Sequence, residues 1–79
     1  MQRKKELPYH QQKRLSEIGS FIKNWRLNEG LSQEEFAHLA EIHPNTILNI
    51  NNNSISLITL LKCIDAMELT PSQFFDGIE

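Results

Sequence analysis

The feature that most restricts this chain is a pair of helix-start signals set close together in "LSQEEFAHLAEIHPNTILNI", residues 31–50. Ser32 is followed three residues later by Glu35, a capping box in which the hydroxyl and the carboxylate each satisfy a free amide at the helix start. His43-Pro44 is the second signal, because a proline in the first turn lacks only an N–H that would have had no helical partner. The spacing predicts one helix over about Gln33 to Ala40, a turn of three or four residues, and a second helix over about 44–51 with Ile47 and Ile50 turned inward.

The rest of the chain reads as helices to surround that pair. Ile18, Phe21, Ile22 and Trp25 make one apolar face of a helix starting at Ser16, and Gly30 stands where its C-terminal stop belongs. "NNNSIS" reads as a loop, since asparagine tolerates left-handed backbone and serine competes for backbone bonds. A fourth helix is expected from about Leu57 to Glu68, with Leu57, Leu60, Leu61, Ile64 and Met67 as its core stripe. Thr70-Pro71-Ser72-Gln73 repeats the capping logic and opens a short fifth helix carrying Phe74 and Phe75. No strand pattern or internal repeat is visible, so the expected fold class is all-α, five short helices around one core. Ile18, Phe21, Ile22, Leu31, Phe36, Leu39, Ile47, Ile50, Leu60 and Ile64 are its expected core residues, and Trp25 a packing residue. The polar stretch "MQRKKELPYHQQKR", interrupted by Pro8, is expected to be a flexible basic arm over residues 1–14, or helical after Tyr9, with residues 15–79 as the domain.

With 79 residues there is room for one small core and no deep catalytic cleft. No secretory segment and no apolar run approaching the roughly 18 residues of a membrane span is present, which leads to the expectation of a cytoplasmic protein. Cys63 lies among Leu60, Leu61 and Ile64 and reads as a small buried hydrophobe. His10, His38, His43 and Cys63 have no zinc-type spacing, and there is no P-loop, GxSxG or HExxH. Neither an enzyme nor a metal or other cofactor is expected.

Charge is divided along the chain. Residues 1–26 hold seven Lys or Arg against Glu6 and Glu17, a net +5, whereas residues 27–79 hold Lys62 alone against eight acids, a net −7. A basic N-terminal arm on an acidic body is the arrangement to explain.

"GLSQEEFAHLAEIHPNTILNI" followed by "SLITLLKCIDAMELTPSQFF" resembles the phage-repressor and Cro-like helix-turn-helix family, the XRE family, over about residues 17–76. The resemblance implies a five-helix repressor-like bundle in which the first helix of the pair braces the second across a DNA groove. It implies that Gln33 clamps a phosphate at a helix start, that Pro44, Asn45, Thr46 and Asn49 are outward positions of the recognition helix, and that Asn52 and Asn53 touch the next phosphate. His43, as cap of that helix, is a further candidate for a phosphate or base contact. Asparagine can pair N6 and N7 of adenine, and threonine can meet a thymine methyl, so the helix suits A·T-containing steps. It carries no lysine or arginine, and phosphate attraction is therefore assigned to Arg3, Lys4, Lys5, Lys13 and Arg14 in the arm. The chain departs from the family pattern at Pro44, at Glu41 in the turn where glycine is common, and at Asn51, where the family has a glutamate that pairs with the counterpart of Arg26.

The expected function is a sequence-specific DNA-binding regulator of the repressor type, bacterial or phage in character. It is expected to bind double-stranded DNA as a homodimer through helix 5 and the tail (Phe74, Phe75, Ile78), although Phe74 or Phe75 equally suits closing the core. The alternative is a protein-interaction module on the same scaffold, antitoxin-like or an anti-regulator, whose partner is a toxin or another regulator. No membrane role is expected.

Overall fold

In the computed structural model, residues 8–51 and 55–78 are described. The helices are α1 (Tyr9–Asn28), α2 (Gln33–Ala40), α3 (Pro44–Asn51), α4 (Leu57–Ala66) and α5 (Pro71–Ile78), with no strand among the described residues. No described helix is long and apolar enough to cross a membrane.

Of the two starts open to α1, Ser16 and the position after Pro8, the structure has the earlier one. Pro8 has extended ψ and its carbonyl accepts from the N–H groups of Gln11 and Gln12 at 3.0 Å each, so the helix begins at Tyr9. After His10, glutamine, lysine and arginine fill residues 11–14, straight-chain residues that favour helix without marking an apolar stripe. Lys13 and Arg14 are thus helical residues of α1, in line with the alternative of a helix after Tyr9, and Arg3, Lys4 and Lys5 lie outside the described residues. At the other end Gly30, with φ 71°, takes the left-handed position, and Leu31 N–H returns to the Arg26 carbonyl at 3.1 Å.

Three further helix starts are held by side chains as the sequence predicts, or by the same device. Glu35 N–H donates to Ser32 Oγ at 3.0 Å and Ser32 N–H to Glu35 Oε1 at 2.7 Å. Gln73 N–H donates to Thr70 Oγ1 at 3.1 Å and Thr70 N–H to Gln73 Oε1 at 2.9 Å. Thr59 N–H donates to Ser56 Oγ at 3.2 Å, capping α4. Two helices end on non-glycine residues in left-handed conformation, Glu41 and Glu68, both at φ 59°. A side chain there costs about 1 kcal/mol relative to glycine. Glu41→Gly is therefore expected to stabilise the protein by about that amount, read as a higher urea midpoint with an unchanged slope; a lower midpoint would contradict it.

The core joins all five helices: Ile22 of α1, Phe36, Ala37 and Ala40 of α2, Ile47 and Ile50 of α3, Leu60, Cys63 and Ile64 of α4 with Met67 at its end, and Phe74 of α5. Edge-to-face ring pairs tie α1 to its neighbours. Phe21 meets Phe74 at 5.0 Å between centroids, and Trp25 meets Phe36 at 6.0 Å. Gly77 lies so close to the Phe21 ring that a Cβ built there would fall 2.7 Å from its Cζ, so any larger residue at that position would force the ring to shift. Burial pushes the Cys63 thiol up to about 11, which keeps it protonated and inert, a core residue as the sequence implied.

Some residues expected inside are not. Leu39 is 50% exposed, and Leu57 and Leu61 of the expected α4 stripe are exposed, whereas Leu60, Cys63 and Ile64 are buried as expected. The α4 sequence LITLLKCIDA is apolar at almost every position, so periodicity offers more than one stripe and only the packing against α2 and α5 selects among them.

Candidate nucleic-acid interface

The turn between α2 and α3 is fixed by three interactions. Glu41, left-handed, lets Ile42 N–H reach the Ala37 carbonyl at 2.9 Å, closing the end of α2. Half-buried Ile42 packs against the core and anchors the turn. Lys62, from α4, donates its Nζ to the Glu41 carbonyl at 3.4 Å, placing a cation at the C-terminal, partially negative end of α2. This contact was not legible in the sequence, whose only cue was that Lys62 is the single basic side chain after Arg26.

The start of α3 is capped by an imidazole. Asn45 N–H donates to His43 Nδ1 at 3.1 Å, and Thr46 N–H donates to the His43 carbonyl at 2.8 Å. Pro44 has no N–H, so the amides of the first turn are absent or already engaged. With Nδ1 accepting, neutral His43 carries its proton on Nε2, leaving that N–H as the donor. Contacts from the beginning of α3 must accordingly come from side chains, in contrast to α2, where exposed Gln33 occupies the first helical position beside the Ser32 cap.

The exposure of the candidate residues follows from the two buried anchors of α3. Ile47 and Ile50 are 5% and 4% exposed, which turns Asn45 and Asn49 outward together with Pro44 and His43. Thr46, expected outward, is half-buried. Asn52 and Asn53 lie outside the described residues, as does the Asn51 side chain expected to meet Arg26. Arg26 has another partner: its Nη1 donates to the Leu31 carbonyl at 2.8 Å, fastening the end of α1 to the residue before the α2 cap.

Lys13 and Arg14 are not brought beside these residues. They border a groove with Glu17 and Ile78, between the first turns of α1 and the end of α5. Arg14 stands about 18 Å along the helix axis from Arg26, where α1 meets α2, at 1.5 Å per residue.

The domain also has solved counterparts. The controller protein of restriction-modification C.Esp1396I, in its wild-type crystal structure, is 27% identical, with a TM-score of 0.71 over 81% of this chain and 87% of that one. The C.Esp1396I tetramer in complex with its natural 35 base-pair operator matches with the same identity, TM-score and coverage. C.Esp1396I bound to a 19 base-pair DNA duplex matches at 27% identity and TM-score 0.71, over 81% of this chain and 88% of that one. A search among curated proteins gave no match. Residues 22–74, from the core of α1 to Phe74 of α5, match the helix-turn-helix family over about two thirds of the sequence, and the chain belongs to that family, in its phage-repressor and Cro-like branch.

Proposed function

We propose that this protein is a sequence-specific DNA-binding transcriptional regulator of the repressor type, which lays α3 in the major groove and binds as a dimer. The observation that carries the reading is the α2–turn–α3 unit itself. Its inward residues are fixed in the core, and its outward residues, Gln33, His43, Asn45 and Asn49, are exposed hydrogen-bonding side chains without a net positive charge. In a similar fold, C.Esp1396I is bound to operator DNA. Gln33 and the start of α2 hold a phosphate, His43 Nε2–H donates to a neighbouring phosphate oxygen, and Asn45 and Asn49 pair with base edges.

Electrostatic attraction comes from the basic N-terminal residues. Arg3, Lys4 and Lys5 are assigned the phosphate contacts. Lys13 and Arg14, far along α1, act through the overall field, which screening reduces beyond about 8 Å at physiological salt. Selection from a random duplex pool with the full-length protein at low salt is expected to enrich an inverted repeat with half-sites about one helical turn apart. Folded protein that enriches nothing would overturn the DNA reading and favour a protein partner for the same scaffold.

The dimer surface moves from α5 toward α4. Phe74 is fully buried and closes the core, so of the aromatic pair only Phe75, 43% exposed, remains available. Leu57 and Ile58, 71% and 65% exposed, begin α4, and Leu61 lies one turn beyond Leu57. A second copy meeting this apolar turn would bury it. Leu57→Asp is expected to give a folded protein that sediments as a monomer where the unmodified protein is dimeric; an unchanged dimer would place the interface elsewhere.

A further inference from the structure

The outer surface of α3 is not purely polar. Leu48 is 54% exposed, on a helix that buries Ile47 and Ile50. It falls about 60° around the helix axis from Asn45 and one residue from Asn49. Pro44, also exposed, lies four residues before it, so Pro44 and Leu48 make an apolar strip beside the strip formed by Asn45 and Asn49. No fold requirement accounts for leucine at this place, since the side chain is outside the core cluster and its partly buried border.

The chemistry of the two strips is complementary to one kind of base pair. In the major groove adenine presents N7 and N6–H2, which an asparagine amide matches, and its partner thymine presents the C5-methyl, the one alkyl group on the base edges there. Resting on the DNA reading above, we propose that Leu48 determines specificity by packing against a thymine C5-methyl, while Asn45 and Asn49 take the neighbouring adenine edges. The absence of lysine and arginine from α3 fits this division: the helix discriminates by methyl contact and amide pairing, and guanine, the usual partner of a basic side chain, is not what it selects. The same contact gives Leu48 its cover, because the exposed side chain leaves water only when the duplex is bound.

The test removes one methyl group at a time. Each thymine of the duplex enriched from the random pool is replaced singly by deoxyuridine, and the affinity of the full-length protein and of Leu48→Ala is measured for every duplex. Leu48 is exposed and alanine favours helix, so the variant is expected to keep its circular dichroism spectrum and melting transition. The unmodified protein is expected to lose roughly fourfold in affinity at one or two thymines per half-site, the value for burying about one CH2-sized group. Leu48→Ala is expected to bind the thymine and deoxyuridine duplexes equally at those same positions. A protein indifferent to deoxyuridine throughout, or a Leu48→Ala variant as sensitive as the parent, would overturn the assignment of Leu48 and leave operator binding standing. A random pool that yields no enriched duplex overturns both.

Discussion

Phe74→Ala is expected to destabilise the protein by about 3–5 kcal/mol, the range for truncating a buried phenylalanine. The ring is fully buried and packs edge-on against Phe21 at 5.0 Å and Phe75 at 5.1 Å between centroids. Removing it leaves Phe21 without its partner and loosens the seat of α5, since Phe21 is also the ring that lies against Gly77. Small domains have a total stability of only about 5–15 kcal/mol, so this single change takes a large share of it. Urea denaturation followed by circular dichroism measures the loss as a lowered midpoint. A change below about 1 kcal/mol would mean that α5 is not an integral part of the cooperative unit.

The second large effect belongs to DNA binding and leaves the fold alone. Asn45 and Asn49 are exposed, and among the described residues no hydrogen bond ties either side chain to the core. A bidentate amide–adenine pair discriminates by about 1–3 kcal/mol. Replacing both with alanine is expected to lower affinity for the enriched duplex at least about 30-fold, the factor for two pairs at the low end of that range. Binding to random-sequence duplex should change little, because its affinity comes from phosphate neutralisation and not from base edges. Competition binding against both duplexes reads the two quantities together. An equal loss on both would mean that these asparagines hold the backbone, and no loss on either would remove α3 from the interface.

The two substitutions probe levels that the sequence reveals unequally. Helix starts were legible because capping is a local device: Ser32 with Glu35 and Thr70 with Gln73 satisfy amides within the same turn, and the structure shows both boxes closed. Gly30 was legible as a helix end for the same reason, a left-handed residue being required within a few positions of the last turn, whereas Glu41 stood out only as a departure from the glycine common in the family's turn. The start of α1 was left open between Ser16 and Tyr9 because its first turns carry no apolar face, so the periodic signal begins only when the helix reaches the core.

What the sequence by itself determined is the set of five helices, the short α2–turn–α3 unit and the inward position of Ile47 and Ile50, all of which follow from interactions spanning four residues or fewer. Tertiary structure decided the rest. It placed Phe74 inside and Phe75 outside although they are neighbours on one short helix, turned Leu57 and Leu61 out of the α4 core, left Leu48 exposed on α3, and brought Lys62 to the turn from 21 residues away. Hydrophobicity pulls all of those apolar side chains inward alike, without direction, and only the shapes of the surfaces that meet determine which of them find room.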